Sequence, residues 1–447
     1  MDKIEFFLEK LSGLLWGEWM LVLLLGTGLF YTIVTGGIQF RAIPHLFRSL
    51  SGSRKQKKDD TKTGGLTPLQ ALYTAIASCV GSGNIIGVAT ALISGGPGTL
   101  MWMWIAAFFG MATKYAEIVL GIMSREQDEQ GNYMGGPMYY IAKAFKTPLL
   151  GCAAAFLLFC QNAGGTLIQS NTITSVAFEA FHAPVIVTAC ILAVTMSLII
   201  KGGLKRLANV AQKIVPFMAG FYVLGGFLVV LSNFELLLPT LKMIVSQAFS
   251  WQAGAGAVMG LTMKQAMRFG VARGLYSNEA GEGSAAVIHS SAEVSHPSEQ
   301  GTYGIIEVFV DTMIICSTTG FSILVSGIPL EGAAAAALPA AAFATVFPRF
   351  HYMVSVSLIL FAATSIMSQW YFGHVSLLYL KSKRGAAIYR ILFPILIMLG
   401  GLSTADMVWY MQDCMLGLLI IPNIIALFIL SPTVRKTTME FLSKSNH

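Results

Sequence analysis

Long apolar runs separated by short polar loops dominate the chain. A helix needs about 20 residues to cross the hydrocarbon core of a bilayer, and runs near that length recur along the sequence. They predict eleven spans: 19–38, 67–94, 98–122, 149–180, 184–200, 208–231, 255–288, 302–328, 350–380, 386–403 and 405–431. Two further stretches, 236–250 and 331–347, are too short or too broken to span, and we expect them to be helices over one mouth of the bundle. The pattern predicts an all-α polytopic membrane protein.

Composition excludes the soluble classes. Of the 447 residues, 55% are hydrophobic and 11% are charged, and the mean hydropathy is +0.67. A soluble domain carries roughly 25% charged residues, so this chain cannot cover a water-facing surface. A soluble enzyme, a secreted scaffold and a disordered protein are all excluded. The six cysteines lie in apolar runs without a CxxC pair, so we expect neither a metal site nor a disulfide framework.

The distribution of Lys and Arg predicts the orientation. The loop after the first span carries seven of them: Arg41, Arg48, Arg54, Lys55, Lys57, Lys58 and Lys62. Most of the others lie in alternate loops and in the C-terminal tail, whereas the opposite loops hold Lys3, Lys10, Lys242 and Arg349. Because basic loops stay in the cytoplasm, the N-terminus is predicted outside and the C-terminus inside the cytoplasmic membrane. This topology accounts for the net charge of +7 without nucleic acid.

Two of the spans are interrupted by glycines and polar residues. Residues 77–87 read ASCVGSGNIIG, and residues 274–284 read GLYSNEAGEGS. A glycine costs roughly 1 kcal/mol against alanine in a helix, and a carboxylate at membrane depth costs at least ~2.5 kcal/mol. Close packing of helices would explain the glycines. It explains Ser82, Asn84, Asn278 and Glu279 poorly, because packing needs small residues and not polar ones.

We interpret both stretches as breaks within membrane helices. A break frees carbonyls that favour a cation and amides that favour a carboxylate, and transporters use such paired breaks as binding sites. The two breaks lie five spans apart, so their helices run in opposite directions, as an inverted repeat requires. The predicted organisation is a leading helix and basic loop (1–65), a first repeat (66–234), a second repeat with extracellular helices (235–431) and a cytoplasmic tail (432–447). This organisation predicts a secondary transporter.

Other functions find less support. GSGNIIG resembles a nucleotide-binding loop, but that motif needs a preceding strand and an acid about 20 residues on, where Trp102 stands. The seven histidines show no pair at metal-ligand spacing, so we expect no enzyme and no cofactor apart from a coupling ion. No obligatory protein partner is expected. The partners would be a small amino acid, the ion and membrane lipid.

Several motifs resemble the alanine or glycine:cation symporter family. They are the run 78–104 (SCVGSGNIIGVATALISGGPGTLMWMW), FGMATKYAE at 109–117, GGPMYYI at 135–141, QSNTI at 169–173 and RGLYSNEAGEGSA at 273–285. The likeness extends from about residue 66 to residue 430. It implies the leucine-transporter type of fold, with five plus five inverted helices and one extra span. It also implies cotransport of a small amino acid with sodium.

The resemblance implies a role for individual residues. Amides of Ser82 and Gly83 would bind the substrate carboxylate, with Cys79 near its amino group. The implied sodium ligands are the carbonyls of Ala77 and Val80 and the hydroxyls of Thr364 and Ser365. The other implied substrate residues are Gln169, Tyr276, Ser277, Asn278, Gly281 and Trp370. Because the sodium ligands are neutral oxygens, we expect coupling to sodium and not to protons.

Some alternatives remain open from the residues alone. Members of the family commonly have Phe at the position of Tyr276, Met at that of Glu282, and a polar or acidic residue at that of Cys79. Glutamine therefore remains an alternative to alanine or glycine, as do proton coupling and an uncoupled channel or sensor. We favour glycine and alanine, because the aromatic rings of Tyr276 and Trp370, together with Gln169, would leave little room.

Structural roles are the alternative for several residues. The hydroxyls of Thr364 and Ser365 could bond back to their own helix, and Trp370 could be an ordinary packing residue. Glu117 could pair with Lys114, three residues before it. Arg268 and Arg273 could neutralise the acids of the second break, Glu279 and Glu282.

Overall fold

The computed structural model describes residues 3–44, 65–129, 131–249, 263–403 and 406–444. The described chain is helical, with one two-stranded antiparallel sheet, β1 (Glu126–Gln127) and β2 (Tyr133–Met134). The α-helices are α1 (Lys3–Leu15), α2 (Glu18–Val34), α3 (Ile38–Arg41), α4 (Pro68–Cys79), α5 (Ile86–Gly95), α6 (Thr99–Ser124), α7 (Pro137–Phe145), α8 (Pro148–Phe181), α9 (Val185–Ile200), α10 (Gly203–Ser232), α11 (Phe234–Ala248), α12 (Met263–Asn278), α13 (Ser284–His289), α14 (Pro297–Val308), α15 (Ser317–Val325), α16 (Leu338–Ala344), α17 (His351–Tyr379), α18 (Lys383–Leu402) and α19 (Asp406–Lys444).

Much of this bundle is long and apolar enough to cross a membrane. Seven helical stretches of the described chain meet that test, and nine do so if each of two bent pairs, α1 with α2 and α4 with α5, counts as one span. The apolar helix α9 is shorter, at 16 residues. The first residues of the predicted span 255–288, up to residue 262, lie outside the described residues. The all-helical membrane fold is confirmed, and the number of eleven spans stays a prediction.

Both predicted interruptions lie where the chain leaves the helical path. α4 is capped by Thr67, whose side chain accepts from the Gln70 amide while the Gln70 side chain accepts from the Thr67 amide. Pro68 takes the first helical position. The helix ends at Cys79, and after a 3₁₀ turn at Ser82–Asn84 the chain continues in α5, bent by 63°. The second interruption separates α12 from α13, with positive φ at Glu279, Gly281 and Gly283.

Described residues from three of the loops predicted to be basic line one cavity at the same end of the bundle. A cavity of about 1130 Å³ at this end is lined by residues from 127–134, 202–205 and 381–384, including Lys205, Lys383 and Arg384. We call it the basic-end cavity. The two non-spanning stretches are helical in part, as α11 and α16. The Ala248 carbonyl at the end of α11 accepts from the Trp102 indole near the start of α6.

The described part of the predicted tail, up to Lys444, is helical. α19 continues without a break through Pro432 to Lys444, where the described chain ends. Its last turns pack against the bundle, since Thr438 hydrogen-bonds the buried Tyr115 hydroxyl at 2.9 Å. The end of the last membrane span at residue 431 stays a prediction.

Candidate substrate and ion site

The first break replaces helical hydrogen bonds with side-chain ones. The Gly81 amide, which would bond the Ala77 carbonyl in a continuous helix, donates to Asn84 Oδ1 at 2.9 Å instead. Asn84 is fully buried. The carbonyl end of α4 and the amide end of the 3₁₀ turn at Ser82 therefore face each other inside the bundle.

The predicted hydroxyls from α17 lie beside this break. Ser365 Oγ donates to the Val80 carbonyl at 3.3 Å and to the Phe361 carbonyl at 3.1 Å. Thr364 Oγ1 donates to the Phe361 carbonyl at 2.9 Å and contacts Met218. Both hydroxyls bond back to their own helix, and that of Ser365 also reaches the freed carbonyl end of α4.

Gln169 on α8 also reaches the first break. A Cβ added to Gly81 would lie 2.8 Å from Ser365 Oγ and 3.0 Å from Gln169 Nε2. Gln169 Oε1 is buried and accepts no hydrogen bond from the described residues. A buried amide oxygen without a donor is costly, so this atom is suited to accept from the ammonium group of a ligand.

The two breaks touch each other. A Cβ on Gly83 would lie 3.7 Å from the Tyr276 ring and 3.9 Å from Ser277 Cα. The Tyr276 hydroxyl accepts from Gln412 Nε2 at 3.2 Å, which fixes the ring from α19. Six of the predicted positions thus lie in one region where the broken helices meet: Val80, Gly83, Gln169, Tyr276, Ser277 and Ser365.

Other predicted positions bond or pack against neighbouring residues of the protein. The Asn278 side chain accepts from the Ala280 amide at 3.1 Å and donates to Thr312 at 3.1 Å. The Gly281 carbonyl accepts from Asn423 at 2.8 Å, and a Cβ on Gly281 would meet Leu24. Cys79 is buried, and its thiol points back to the Ile76 carbonyl at 3.6 Å.

Trp370 lies away from this region. Along α17, Ser365 contacts Val80, and Ser368 contacts the Thr74 carbonyl at 3.4 Å, so the helix runs from the break toward the basic end. Trp370 is further along, stacks on His374 with ring centroids 5.1 Å apart, and lines the basic-end cavity. Spacing along a motif could not reveal this difference in depth.

The structure adds an acid that the sequence reading missed. Asp311 is fully buried in a π-helical segment, Phe309–Cys316, between α14 and α15. It accepts from Asn84 Nδ2 of the first break at 2.5 Å, from Ser277 Oγ of the second break at 2.9 Å, and from Thr312 at 2.8 Å. A single carboxylate therefore joins both breaks. Its sequence signal is an ionisable residue within a predicted membrane span, 302–328, whose other charged residue is Glu307.

The charged side chains around the second break have partners other than those suggested by the sequence. Lys114 bonds Glu307 at 3.0 Å, whereas Glu117 accepts from the Gly283 amide at 2.9 Å and from Asn423. Ser284 donates to Glu279 at 2.6 Å. The two arginines contact aromatic rings, Arg273 over Tyr276 and Arg268 over Phe269.

A membrane bundle with two broken helices abutting at a polar centre is the architecture of a secondary transporter. The chain belongs to the sodium:alanine symporter family, whose model matches residues 1–447. It is a sodium-coupled amino-acid symporter of the membrane and not an enzyme.

Individual relatives support this assignment. The chain is 37% identical to the sodium/alanine symporter AgcS of Methanococcus maripaludis, covering 99% of this chain and 98% of that protein. It is 34% identical to the probable sodium/glutamine symporter GlnT of Bacillus subtilis, covering 96% and 89%. Its fold resembles a Na⁺-coupled sialic acid symporter with a TM-score of 0.56 at 11% identity, covering 94% of this chain and 98% of the other.

Proposed function

We propose that the protein imports alanine or glycine together with sodium by alternating access. The observation that carries this proposal is the contact of the two breaks, with Gly83 against Tyr276 and Ser277. That junction offers helix-end amides and carbonyls in a space bounded by an aromatic ring. A small zwitterion needs both kinds of group.

Each end of the substrate has a proposed partner. The amides of Ser82 and Gly83 bind the carboxylate, and the orphaned Gln169 Oε1 accepts from the ammonium group. Tyr276 bounds the side-chain space. The proposed sodium ligands remain the carbonyls of Ala77 and Val80 and the hydroxyls of Thr364 and Ser365, of which Ser365 already contacts Val80.

The membrane arrangement completes the proposal. Eleven spans form two inverted repeats after a leading helix, with the N-terminus outside and the C-terminus in the cytoplasm. The basic-end cavity then opens to the cytoplasm, and substrate released from the breaks leaves through it. The presence of Lys205, Lys383 and Arg384 in its lining supports this orientation.

Glutamine is the second candidate substrate. The relationship to GlnT favours it, and the Tyr276 hydroxyl, held by Gln412, could bond a polar side chain. Uptake into proteoliposomes, with competition by alanine, glycine and glutamine, distinguishes the candidates. We expect alanine and glycine to compete best, with uptake that requires sodium and persists with a protonophore. Uptake lost with a protonophore and indifferent to sodium would contradict sodium coupling, and flux without concentration against a gradient would indicate a channel.

Ser365→Ala should weaken sodium binding more than substrate binding. The lost ligand is worth about 1.4 kcal/mol, so we expect the sodium concentration for half-maximal uptake to rise about tenfold. Ser368→Ala removes a hydroxyl one turn further along α17, bonded to Thr74, and serves as the control. An equal change in both variants would contradict the proposed ion site.

Tyr276→Ala should extend uptake to larger neutral amino acids. Removing the ring opens the space next to Gly83 and lowers alanine affinity. Trp370→Ala removes a larger ring in the basic-end cavity, and we expect it to leave the range of substrates unchanged. A range that widens in Trp370→Ala and not in Tyr276→Ala would return Trp370 to the substrate site. Initial uptake rates for a series of amino acids of increasing size provide the measurement.

A further inference from the structure

A lysine is fully buried at the centre of the bundle. Lys114 lies on α6, and its side chain has no exposed surface. Its ammonium donates to the Asn278 carbonyl at 2.7 Å and pairs with Glu307 Oε1 at 3.0 Å. Burying an ammonium group is strongly unfavourable unless it is paired and hydrogen-bonded. The contacts with Asn278 and Glu307 therefore offset the unfavourable burial of the Lys114 ammonium.

The carbonyl that Lys114 binds belongs to a helix end. Asn278 is the last residue of α12, and at Glu279 the chain turns away with φ of +56°. The C-terminus of a helix carries a partial negative charge from its unpaired carbonyls. The ammonium of Lys114 occupies the position at which such an end favours a cation.

The acids around this position strengthen its preference for a cation. Glu307 is fully buried, and its second oxygen lies 2.9 Å from His289 Nε2. Glu279 and Glu117 add further negative potential at the ammonium. Glu282 is buried close by. Removing the lysine would leave the buried Glu307 without the ammonium that it pairs with.

The matching end of the first broken helix is different. There the Val80 carbonyl at the end of α4 accepts from the neutral hydroxyl of Ser365, and the neutral amide of Gln169 lies beside Gly81. Under the proposed function, this end takes a sodium ion from solution. One broken helix therefore ends on an exchangeable cation, and the other ends on a cation that the chain supplies.

We infer that Lys114 is a tethered cation of the second break, where its ammonium takes the place of a second bound ion. This inference rests on the proposed sodium site at the first break. Lys114 acts as a positioning residue, since it holds the end of α12 and thereby Tyr276 and Ser277. The transport cycle then exchanges no ion at the end of α12 that Lys114 occupies.

Three variants test the inference. Lys114→Met keeps the bulk of the side chain without its charge, and we expect uptake to fall at least about tenfold because Glu307 loses its partner. Lys114→Ala leaves space for n-propylammonium, which replaces the missing part of the side chain. We expect this amine to restore part of the uptake of Lys114→Ala and none of that of Lys114→Met. Lys264→Ala is the control, because Lys264 pairs with Glu18 at 2.6 Å while 67% exposed.

Thermal stability provides a second measurement, because it does not depend on transport or on which ion drives uptake. Thermal unfolding in detergent should shift upward with n-propylammonium in Lys114→Ala and not in Lys114→Met or the wild type. The amine would also restore a purely structural salt bridge, so rescue of stability without rescue of uptake would overturn the inference, as would an unfolding temperature that the amine leaves unchanged. Wild-type uptake by Lys114→Met would overturn it as well. If wild-type uptake does not need sodium, the proposed function fails while the amine-dependent shift can still be observed.

Discussion

Gly83→Ala is expected to abolish amino-acid uptake while leaving the thermal stability of the protein unchanged. The new methyl group would lie 3.7 Å from the Tyr276 ring, an ordinary contact that the fold accommodates. It would occupy the space between the two breaks, where the proposed substrate carboxylate meets the amides. We expect the loss to exceed a hundredfold, since about 3 kcal/mol of binding is lost when the helix-end donors are blocked.

Alanine substitutions at two other glycines serve as controls for this experiment. Gly87 lies on α5, and a Cβ there meets nothing within 4 Å, so Gly87→Ala should transport normally. Gly281 has φ of +97°, and a Cβ there would meet Leu24; Gly281→Ala should therefore lower stability. Uptake and unfolding temperature measured together separate the three cases. Near-normal uptake by folded Gly83→Ala would contradict the proposed substrate position.

Gly81→Ala tests the same break from its other side. Its Cβ would approach Ser365 Oγ and Gln169 Nε2 closely enough to displace both side chains.

The breaks themselves could be predicted from sequence, because clustered glycine and polar residues in a membrane span are unfavourable locally. The distinction between Gly81, Gly83 and Gly281 could not, because it depends on which side chains from distant helices fill the space around each glycine.

Polar and aromatic residues isolated within apolar spans have partners that sequence spacing does not predict. Lys114 and Glu117 stand three apart on one helix, which suggests a pair, yet each bonds a different helix. Trp370 follows Ser365 by five residues and therefore lies deeper toward the basic end, where it contacts His374. Sequence spacing fixes which residues share a helix face, whereas the partner on the facing helix depends on tertiary packing.

Asp311 is the clearest example, and it alters the expectation for the ion. The sequence reading assigned only neutral oxygens to the coupling ion, and these oxygens give a proton no basic group. The structure adds a carboxylate that accepts from Asn84, Ser277 and Thr312 and joins both breaks. Lys114 pairs with Glu307. A buried carboxylate requires a cation or a proton, and a symporter can supply the cation as sodium.

Asp311→Asn is therefore expected to reduce sodium-driven uptake by about a hundredfold. The variant removes the carboxylate that would pair with the buried sodium ion, and losing one partner of a buried ion pair costs about 3 kcal/mol. The variant keeps the size of the side chain, and we expect it to fold. Sodium should raise the unfolding temperature of the wild type and have little effect on Asp311→Asn, whereas Ser365→Ala should respond at higher sodium concentration. Glu179→Gln, at an exposed position near the end of α8, is the control and should behave like the wild type.

The outcome distinguishes the two coupling ions. If Asp311 carries a proton instead, wild-type uptake should follow the proton gradient and collapse with a protonophore, and sodium should not stabilise the protein. If Asp311 only holds Asn84 and Ser277 together, Asp311→Asn should lose thermal stability and retain its response to sodium. Sodium-dependent stabilisation that disappears in Asp311→Asn alone would make this carboxylate part of the sodium site, which then bridges the two broken helices whose separation and closure transport requires.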